Sequence, residues 1–315
     1  MPTMITHNTI KASFIKAMAA AQPATWLSQI TNMFTSDSAY EEYPWGNATD
    51  GFREWIAGRH AKGFTENHLT IKNKTFEDSV VVLKKDMRRD KLGAIQSWIN
   101  DLAVRAAGHP EELVSDLIDN GATLDSYDGK KYFATDHEWK DSGAQSNLIS
   151  IDISELPVVN HGVTTSPSVT ELQWAIAQGV AQIIGFKDSA GKPRNRNANQ
   201  FLAMVPHTFM FAAMQAMSTP GQLAESQTVL SEFKRKFGID LEVNPNLTWT
   251  DSLAVFRKDS FIKPLVFQRE TDIHYSHLID GSDYTYNNNA YQYGLDYSGN
   301  AALGLWEGAC KITLT

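Results

Sequence analysis

An α+β fold is what this sequence predicts, and three observations carry the expectation. Helical and strand-like segments alternate irregularly, without the strict strand–helix repeat that a doubly wound parallel sheet requires. Residues 91–121 carry an apolar stripe at helical spacing over a length that spans a whole domain. Residues 41–83 form a glycine-punctuated, aromatic-rich run of β character with too few residues for a core of its own. The 315 residues suffice to bury a substantial core elsewhere.

Residues 1–40 read as an arm. Ile10–Ala21 and Trp26–Phe34 have the spacing of short amphipathic helices separated by Pro23, and helices this short need a surface to lie on. In 41–83, Gly46, Gly51, Gly58 and Gly63 are interleaved with Tyr43, Trp45, Phe52, Trp55 and Phe64. The β-branched runs HLTIK (68–72) and VVVLK (80–84) read as strands. Long excursions inside compact proteins are usually functional.

In 91–121, Leu92, Ile95, Ile99, Leu102 and Ala106 share one helical face, and Leu113, Leu117 and Ile118 resume it after Pro110. Pro110 has no backbone donor and crowds the carbonyl of Ala106. Local sequence therefore permits one helix bent near Gly108–Pro110, or two helices joined by a Gly-His-Pro turn. Gly121, after Asn120, stands where a left-handed C-terminal residue is expected.

Downstream, Asp128-Gly129 marks a turn, and Leu148–Ile153 reads as a short strand. Ser168–Phe186 is a helix opened by Ser168 and Glu171. Gln200–Val205 is a buried strand, and Pro206 starts a helix that runs to Met217. A further helix is expected over Gln222–Phe237. Ile239–Val243, Trp249–Arg257 and Leu265–Arg269 read as strands, and Tyr291–Leu314 alternates in β fashion. No period of 20 to 50 residues indicates repeats.

A net charge of −8 argues against a surface that grips nucleic acid or anionic lipid, while leaving room for a protein that encloses DNA. No apolar run reaches the ~20 residues of a membrane span, and the N-terminus lacks the pattern of a secretory signal. Cys310 is the only cysteine; its apolar surroundings mark a small buried hydrophobe, and a reducing compartment fits.

Chemistry-bearing motifs are sparse. Asp136, His137 and Glu138 are potential metal ligands, and with His161 they define an alternative reading as a metal-dependent hydrolase. Adjacent side chains seldom converge on one ion, so a polar loop is the competing reading. Residues 185–199 hold Lys187, Lys192, Arg194 and Arg196, the most basic stretch of the chain. That stretch lacks phosphate-loop spacing and reads either as solvated surface or as a contact for an anionic partner, a neighbouring subunit's acidic edge or DNA. Neither a nucleophile elbow nor a dinucleotide fingerprint occurs, so the sequence predicts no enzyme and no cofactor. It points to a protein that works by assembling.

Four consecutive segments carry a family resemblance: WIAGRHAKGF (55–64), IKNKTFEDSVVVLKKDMRRDKLG (71–93), AAGHPEELVSDLIDNG (106–121) and YDGKKYFATDHEW (127–139). Read in this order they resemble the major head subunit of Mu-like phages and prophages, with Tyr132 beside Phe133 as a mild departure. The resemblance implies an HK97-like major capsid fold with N-terminal arm 1–40, extended loop 41–85 and axial domain 156–262. It also implies a peripheral domain, 86–155 plus 263–315, built on one continuous spine helix over 91–121. It further implies self-assembly through hexamers and pentamers into an icosahedral shell in the virion, formed in the host bacterial cytoplasm. Portal and scaffolding or decoration proteins are the implied further partners, with packaged DNA held by weak non-specific contact and no membrane or metal involved. The inter-subunit contact candidates are Tyr43, Trp45, Phe52, Trp55, Arg59 and Phe64 in the loop, and Lys192, Arg194 and Arg196 in the basic stretch.

Overall fold

The computed structural model describes residues 6–21, 24–45, 67–89, 93–139, 142–156, 161–217 and 236–315. The chain opens with helices α1 (His7–Ala20) and α2 (Thr25–Ile30), then strands β1 (Thr31–Thr35), β2 (Tyr40–Trp45), β3 (Asn67–Lys72) and β4 (Lys74–Leu83). Helices α3 (Lys84–Arg89) and α4 (Ala94–Asp119) follow, then the short strands β5 (His137–Glu138), β6 (Ala144–Gln145) and β7 (Leu148–Ile151). Next come α5 (Val169–Gly185), β8 (Gln200–Pro206), α6 (Met210–Met217), β9 (Gly238–Asn244) and β10 (Ser252–Arg257). The long strands β11 (Leu265–Leu278) and β12 (Ala290–Leu303) and the final β13 (Ala309–Leu314) complete the fold.

Two sheets organise these elements. The five-stranded sheet runs β7-β13-β10-β8-β9 and the four-stranded sheet β1-β11-β12-β4. The first draws β7 and β13 from stretches expected in the peripheral domain and β8, β9 and β10 from the stretch expected in the axial one. Central strands β8 and β10 are buried along nearly their whole length, as near-continuous apolar runs require. Helix α5 crosses this sheet so closely that a Cβ at Gly179 would lie 2.8 Å from Ile312 Cδ1 and 2.9 Å from Val255 Cγ2. Its start is fixed by a reciprocal capping box between Ser168 and Glu171.

One continuous helix, α4, resolves the ambiguity at Pro110, which lies inside it. The lost bond to Ala106 costs about 3 kcal/mol or more. Burial on both sides offsets that cost. Ile95, Ile99 and Leu102 pack with Ile10 and Phe14 of α1 and with Tyr293 and Leu295 of β12. Val114 and Ile118 join a larger core with Trp26, Phe133 and the five-stranded sheet. At its far end Asp119 accepts hydrogen bonds from Thr248 N and Oγ1 at 2.9 and 2.8 Å, and Trp249 Nε1 donates to its carbonyl at 3.2 Å. The helix therefore ties the two sheets into one body.

Four details depart from the sequence expectation. Gly121 is not left-handed: the capping residue Asn120 has φ −91°, and Gly121 is absent from the positive-φ positions among the described residues. What demands glycine there is space, since a Cβ would sit 2.7 Å from Phe133 Cδ2. Trp26–Phe34 splits at Thr31 into α2 and β1, because Thr31–Thr35 pairs in parallel with Leu265–Arg269. The stretch from Trp249 becomes strand only at Ser252. Strand β11 continues to Leu278, nine residues beyond Arg269, paired throughout with β12 across register shifts at Arg269/Thr271 and Thr271/His274. The helix expected over Gln222–Phe237 lies almost wholly outside the described residues.

Candidate assembly surfaces

Strands β2 and β3 pair antiparallel, Tyr40 with Lys72 through Trp45 with Asn67, and so form the base of the aromatic excursion. That base is anchored on β11. Tyr43 Oη donates to Gln268 Oε1 at 2.8 Å, and the fully buried Gln268 donates through Nε2 to Asn73 Oδ1 at 2.7 Å. Asn73 Nδ2 in turn donates to Ser38 O at 2.7 Å. The Tyr43 ring stacks on Phe34 with centroids 4.9 Å apart. Burial, reinforced by Glu41, pushes the Tyr43 phenol up to about 12, so it keeps its proton and remains a donor. Trp45 closes the pairing at the open end of β2, opposite Asn67. Phe52, Trp55, Arg59 and Phe64 lie outside the described residues.

The basic stretch 186–199 is a built turn. Asp188 Oδ1 accepts from the amides of Ala190 and Lys192, both at 2.9 Å, and Gly191 takes φ +72°. Asn195 Nδ2 donates to Ile183 O and Glu307 O at 2.7 Å each, pinning the turn to α5 and to the residues before β13. Arg194 turns inward. Its Nε lies 3.2 Å from the buried carboxylate of Glu307, and its guanidinium sits 5.4 Å from the Trp139 ring centre. Its charge is thus spent inside its own subunit, a fate the composition of the loop did not reveal. Lys187, Lys192 and Arg196 remain exposed, and none forms an ion pair among the described residues.

The 136–138 cluster does not converge. Asp136 is exposed and pairs with Lys130 at 2.6 Å; this contact holds its carboxyl below the usual carboxylate range. His137 is fully buried, stacked on Trp306 at 4.2 Å, with Nδ1 2.6 Å from Asp128 Oδ2 and Nε2 3.2 Å from Tyr132 O. Its role is to knit the turn at Gly129 to the core. His161 is exposed and lies 4.0 Å from Glu171, a carboxylate already occupied by the amides of His161, Gly162 and Ser168. No group of three or more His, Cys, Asp or Glu among the described residues is placed to hold a metal. Nothing in this arrangement supports the hydrolase alternative. Cys310 is buried in β13, and burial pushes its thiol well up, which keeps it unreactive.

Two exposed features escaped the sequence reading. Phe211 and Met214 project from α6 with Phe211 84% exposed, and Phe261 is 98% exposed in the turn between β10 and β11. Their helix and loop settings look ordinary in sequence; only the fold shows that no other element among the described residues covers them. The second feature is a cleft of about 430 Å³ between α4 and the strands β4 and β12. Phe76, His109 and Tyr297 pack their rings there, His109 at 4.4 Å from Phe76 and 5.7 Å from Tyr297. Among the described residues no helix is long and apolar enough to cross a membrane.

Comparison with known proteins completes the picture. The family model of the Mu-like prophage major head subunit gpT matches residues 4–155 and 244–314. The major capsid protein of Escherichia phage Mu is 28% identical over 110 residues, which is 35% of this chain and 36% of that protein. The Mu-like prophage FluMu major head subunit of Haemophilus influenzae is 27% identical over 139 residues, 42% of this chain and 45% of that protein. The aligned parts thus span less than half the length of either relative. Among solved structures, the procapsid of bacteriophage JBD30 aligns with 98% of this chain and 76% of its own, at TM-score 0.53 and 19% identity. The capsid of the native GTA particle aligns with 92% and 89%, at TM-score 0.57 and 10% identity. The capsid of cyanophage P-SCSP1u aligns with 90% and 86%, at TM-score 0.55 and 12% identity. These likenesses establish the HK97-like α+β capsid fold. With more than half of its residues matched, on both sides of the unmatched 156–243, the chain belongs to the Mu-like prophage major head subunit gpT family.

Proposed function

We propose that this protein is the major capsid subunit of a Mu-like phage or prophage head, a structural protein that self-assembles into an icosahedral shell around double-stranded DNA. The observation that carries the reading is the match of the head-subunit family to both ends of a chain whose fold is that of capsid proteins. In this reading residues 1–40 are the arm, 41–85 the extended loop, 86–155 with 263–315 the peripheral domain and 156–262 the axial domain. The aromatic loop residues Tyr43, Trp45, Phe52, Trp55 and Phe64, with Arg59, meet neighbouring subunits in hexamers and pentamers, as do Lys192 and Arg196. Arg194 supports that surface from beneath by holding the turn to Glu307. Portal and scaffolding or decoration proteins act on the same shell, which forms in the host cytoplasm and persists in the virion. DNA is retained by enclosure, in keeping with a net charge of −8.

Electron microscopy of the purified protein tests this directly: shells of uniform diameter are expected. Replacing 46–66 by a short Gly-Ser turn joins Trp45 to Asn67, which already face each other across the hairpin. The variant is expected to be folded by circular dichroism and unable to form shells. Wild-type protein that stays monomeric at every concentration and salt tested would sink the proposal.

A further inference from the structure

The start of α1 is held to β12 by a hydrogen bond that depends on a neutral histidine. His7 Nδ1 lies 2.8 Å from Tyr293 Oη, and the Tyr291 ring stands nearly perpendicular to the imidazole at 4.5 Å. Tyr293 is fully buried, and burial pushes its phenol well up, so the hydroxyl keeps its proton. Among the described residues that hydroxyl has no second partner. The arrangement that satisfies both groups has Tyr293 donating to an unprotonated Nδ1. A proton on His7 spoils it. Both ring nitrogens of an imidazolium are donors, so Nδ1 turns its N–H on the Tyr293 oxygen and the buried hydroxyl proton is left without an acceptor.

The surrounding charges act in the same direction. His7 is the first residue of α1, where the helix macrodipole repels a cation, and no acidic side chain stands in that turn. Lys11 follows one turn further along α1. On the β11 side His277 opposes a positive charge, whereas Asp280, in the turn after β11, favours one. That carboxylate is already held by Lys84 Nζ at 2.6 Å and by Tyr291 Oη at 2.9 Å. From α3, Lys84 and Arg88 add positive charge beside Tyr291. Helix α4 meets α1 through Ile95, Ile99, Leu102 and Asn100, none of which titrates. Burial is the largest influence, and with His277 it outweighs Asp280 and holds the His7 imidazole below its ordinary value of 6.5.

We infer that the first turn of α1 is an acid-released latch: protonation of His7 ends its acceptor role for Tyr293 and frees the beginning of the helix from β12. The remainder of α1 stays in place, held by Phe14 in the core and by Ser13 Oγ, which donates to Asn100 Oδ1 at 2.9 Å. A base whose folded value is depressed contributes fully above its unfolded value, and that contribution is lost as pH falls through the folded one. The latch is therefore closed at neutral pH and opens in acid. The inference goes beyond the capsid reading and stands without it, since both partners belong to one chain.

Two measurements on the whole chain test it. Nuclear magnetic resonance of ¹³C-labelled histidine, with the His7 signal assigned by its loss in His7→Asn, reads the titration; amide exchange corrected for its intrinsic pH dependence reads the turn. His7 is expected to titrate below 6.5. The amide of Thr9 bonds to Thr6 Oγ1 and that of Ile10 to Thr6 O. Both are expected to lose protection at least about threefold between about pH 7.5 and about pH 5.5, while the amides of α5 keep theirs. His7→Asn offers Tyr293 an acceptor near the place of Nδ1 and cannot charge, so its first turn is expected to stay protected in acid. Tyr293→Phe keeps the ring and removes the donor; its first turn is expected to be as weakly protected at neutral pH as that of the wild type in acid. A His7 that titrates at or above 6.5, protection of Thr9 and Ile10 indifferent to pH, or the same acid loss in His7→Asn would overturn the latch and leave the capsid reading intact.

Discussion

The two sheets of this subunit are built to different standards of closure. In the five-stranded sheet the central strands are buried on both faces, α5 lies against them without room for a Cβ at Gly179, and Trp306 is enclosed between His137 and Phe186. The four-stranded sheet is half open. Strand β4 ends it as a mostly exposed edge, the outer half of β11 is solvated on one face while Ile273 and Tyr275 pack from the other, and the cleft beside α4 keeps Tyr297 Oη and His109 Nε2 unmatched among the described residues. The difference teaches where stability and association reside. One sheet is covered almost completely by its own chain, and the other keeps an exposed edge strand.

Removing the centre of the closed sheet gives the largest expected effect. Trp306→Ala empties a fully buried ring site and strips the stacking partner of His137, so a loss of about 3–5 kcal/mol is expected by chemical denaturation. A loss below about 1 kcal/mol would show that this core is not the stabilising one. Glu171→Ala comes next, at about 3 kcal/mol, because three amides of His161, Gly162 and Ser168 lose their acceptor. Burial acts to raise the Glu171 carboxyl, but those amide bonds outweigh it and leave it below its ordinary value. A depressed carboxyl contributes fully above its unfolded value and loses that contribution as pH falls through the folded one. The wild type is therefore expected to lose stability more steeply than the Glu171→Ala variant below about pH 4.5, measured by thermal melts across pH.

Smaller effects are expected on the open side. Tyr43→Phe removes the donor to buried Gln268 and should cost about 1–2 kcal/mol. Faster amide exchange confined to the β2–β3 hairpin is the expected signature, and protection equal to wild type would mean that the stack on Phe34 alone holds the base. Phe211→Ser should change stability by no more than about 0.5 kcal/mol, since its side chain is exposed; only an assembly assay is expected to register it.

Legibility from sequence followed the same division. The spine helix could be read because its apolar stripe repeats at helical spacing, and Ile95, Ile99, Leu102 and Ile118 of that stripe are buried in a core, while Leu92 lies outside the described residues. The Ser168–Glu171 capping box was equally clear, its chemistry being local. The outer half of β11 was missed because only Ile273 and Tyr275 of 270–278 are half-buried, too short an alternation to mark a strand; it is strand because β12 supplies a backbone ladder, which side chains do not announce. Within the basic turn, Lys192 and Arg194 are equivalent in composition. Glu307 alone separates them, and it lies more than a hundred residues away. The cleft beside α4 was illegible for a similar reason: its lining comes from β4, α4, β11 and β12, which only the fold brings together.

The order of the five-stranded sheet also sets a timetable. Strand β13 sits between β7 and β10, so the pairing that joins residues 148–151 to 200–257 waits for residues 309–314 to be synthesised. Until then β7 lacks its strand partner and the β10-β8-β9 piece has a bare edge at β10. A chain whose translation halts before residue 309 is expected to be removed as a misfolded product and not to enter a growing shell, because β13 is the strand that bridges β7 to β10.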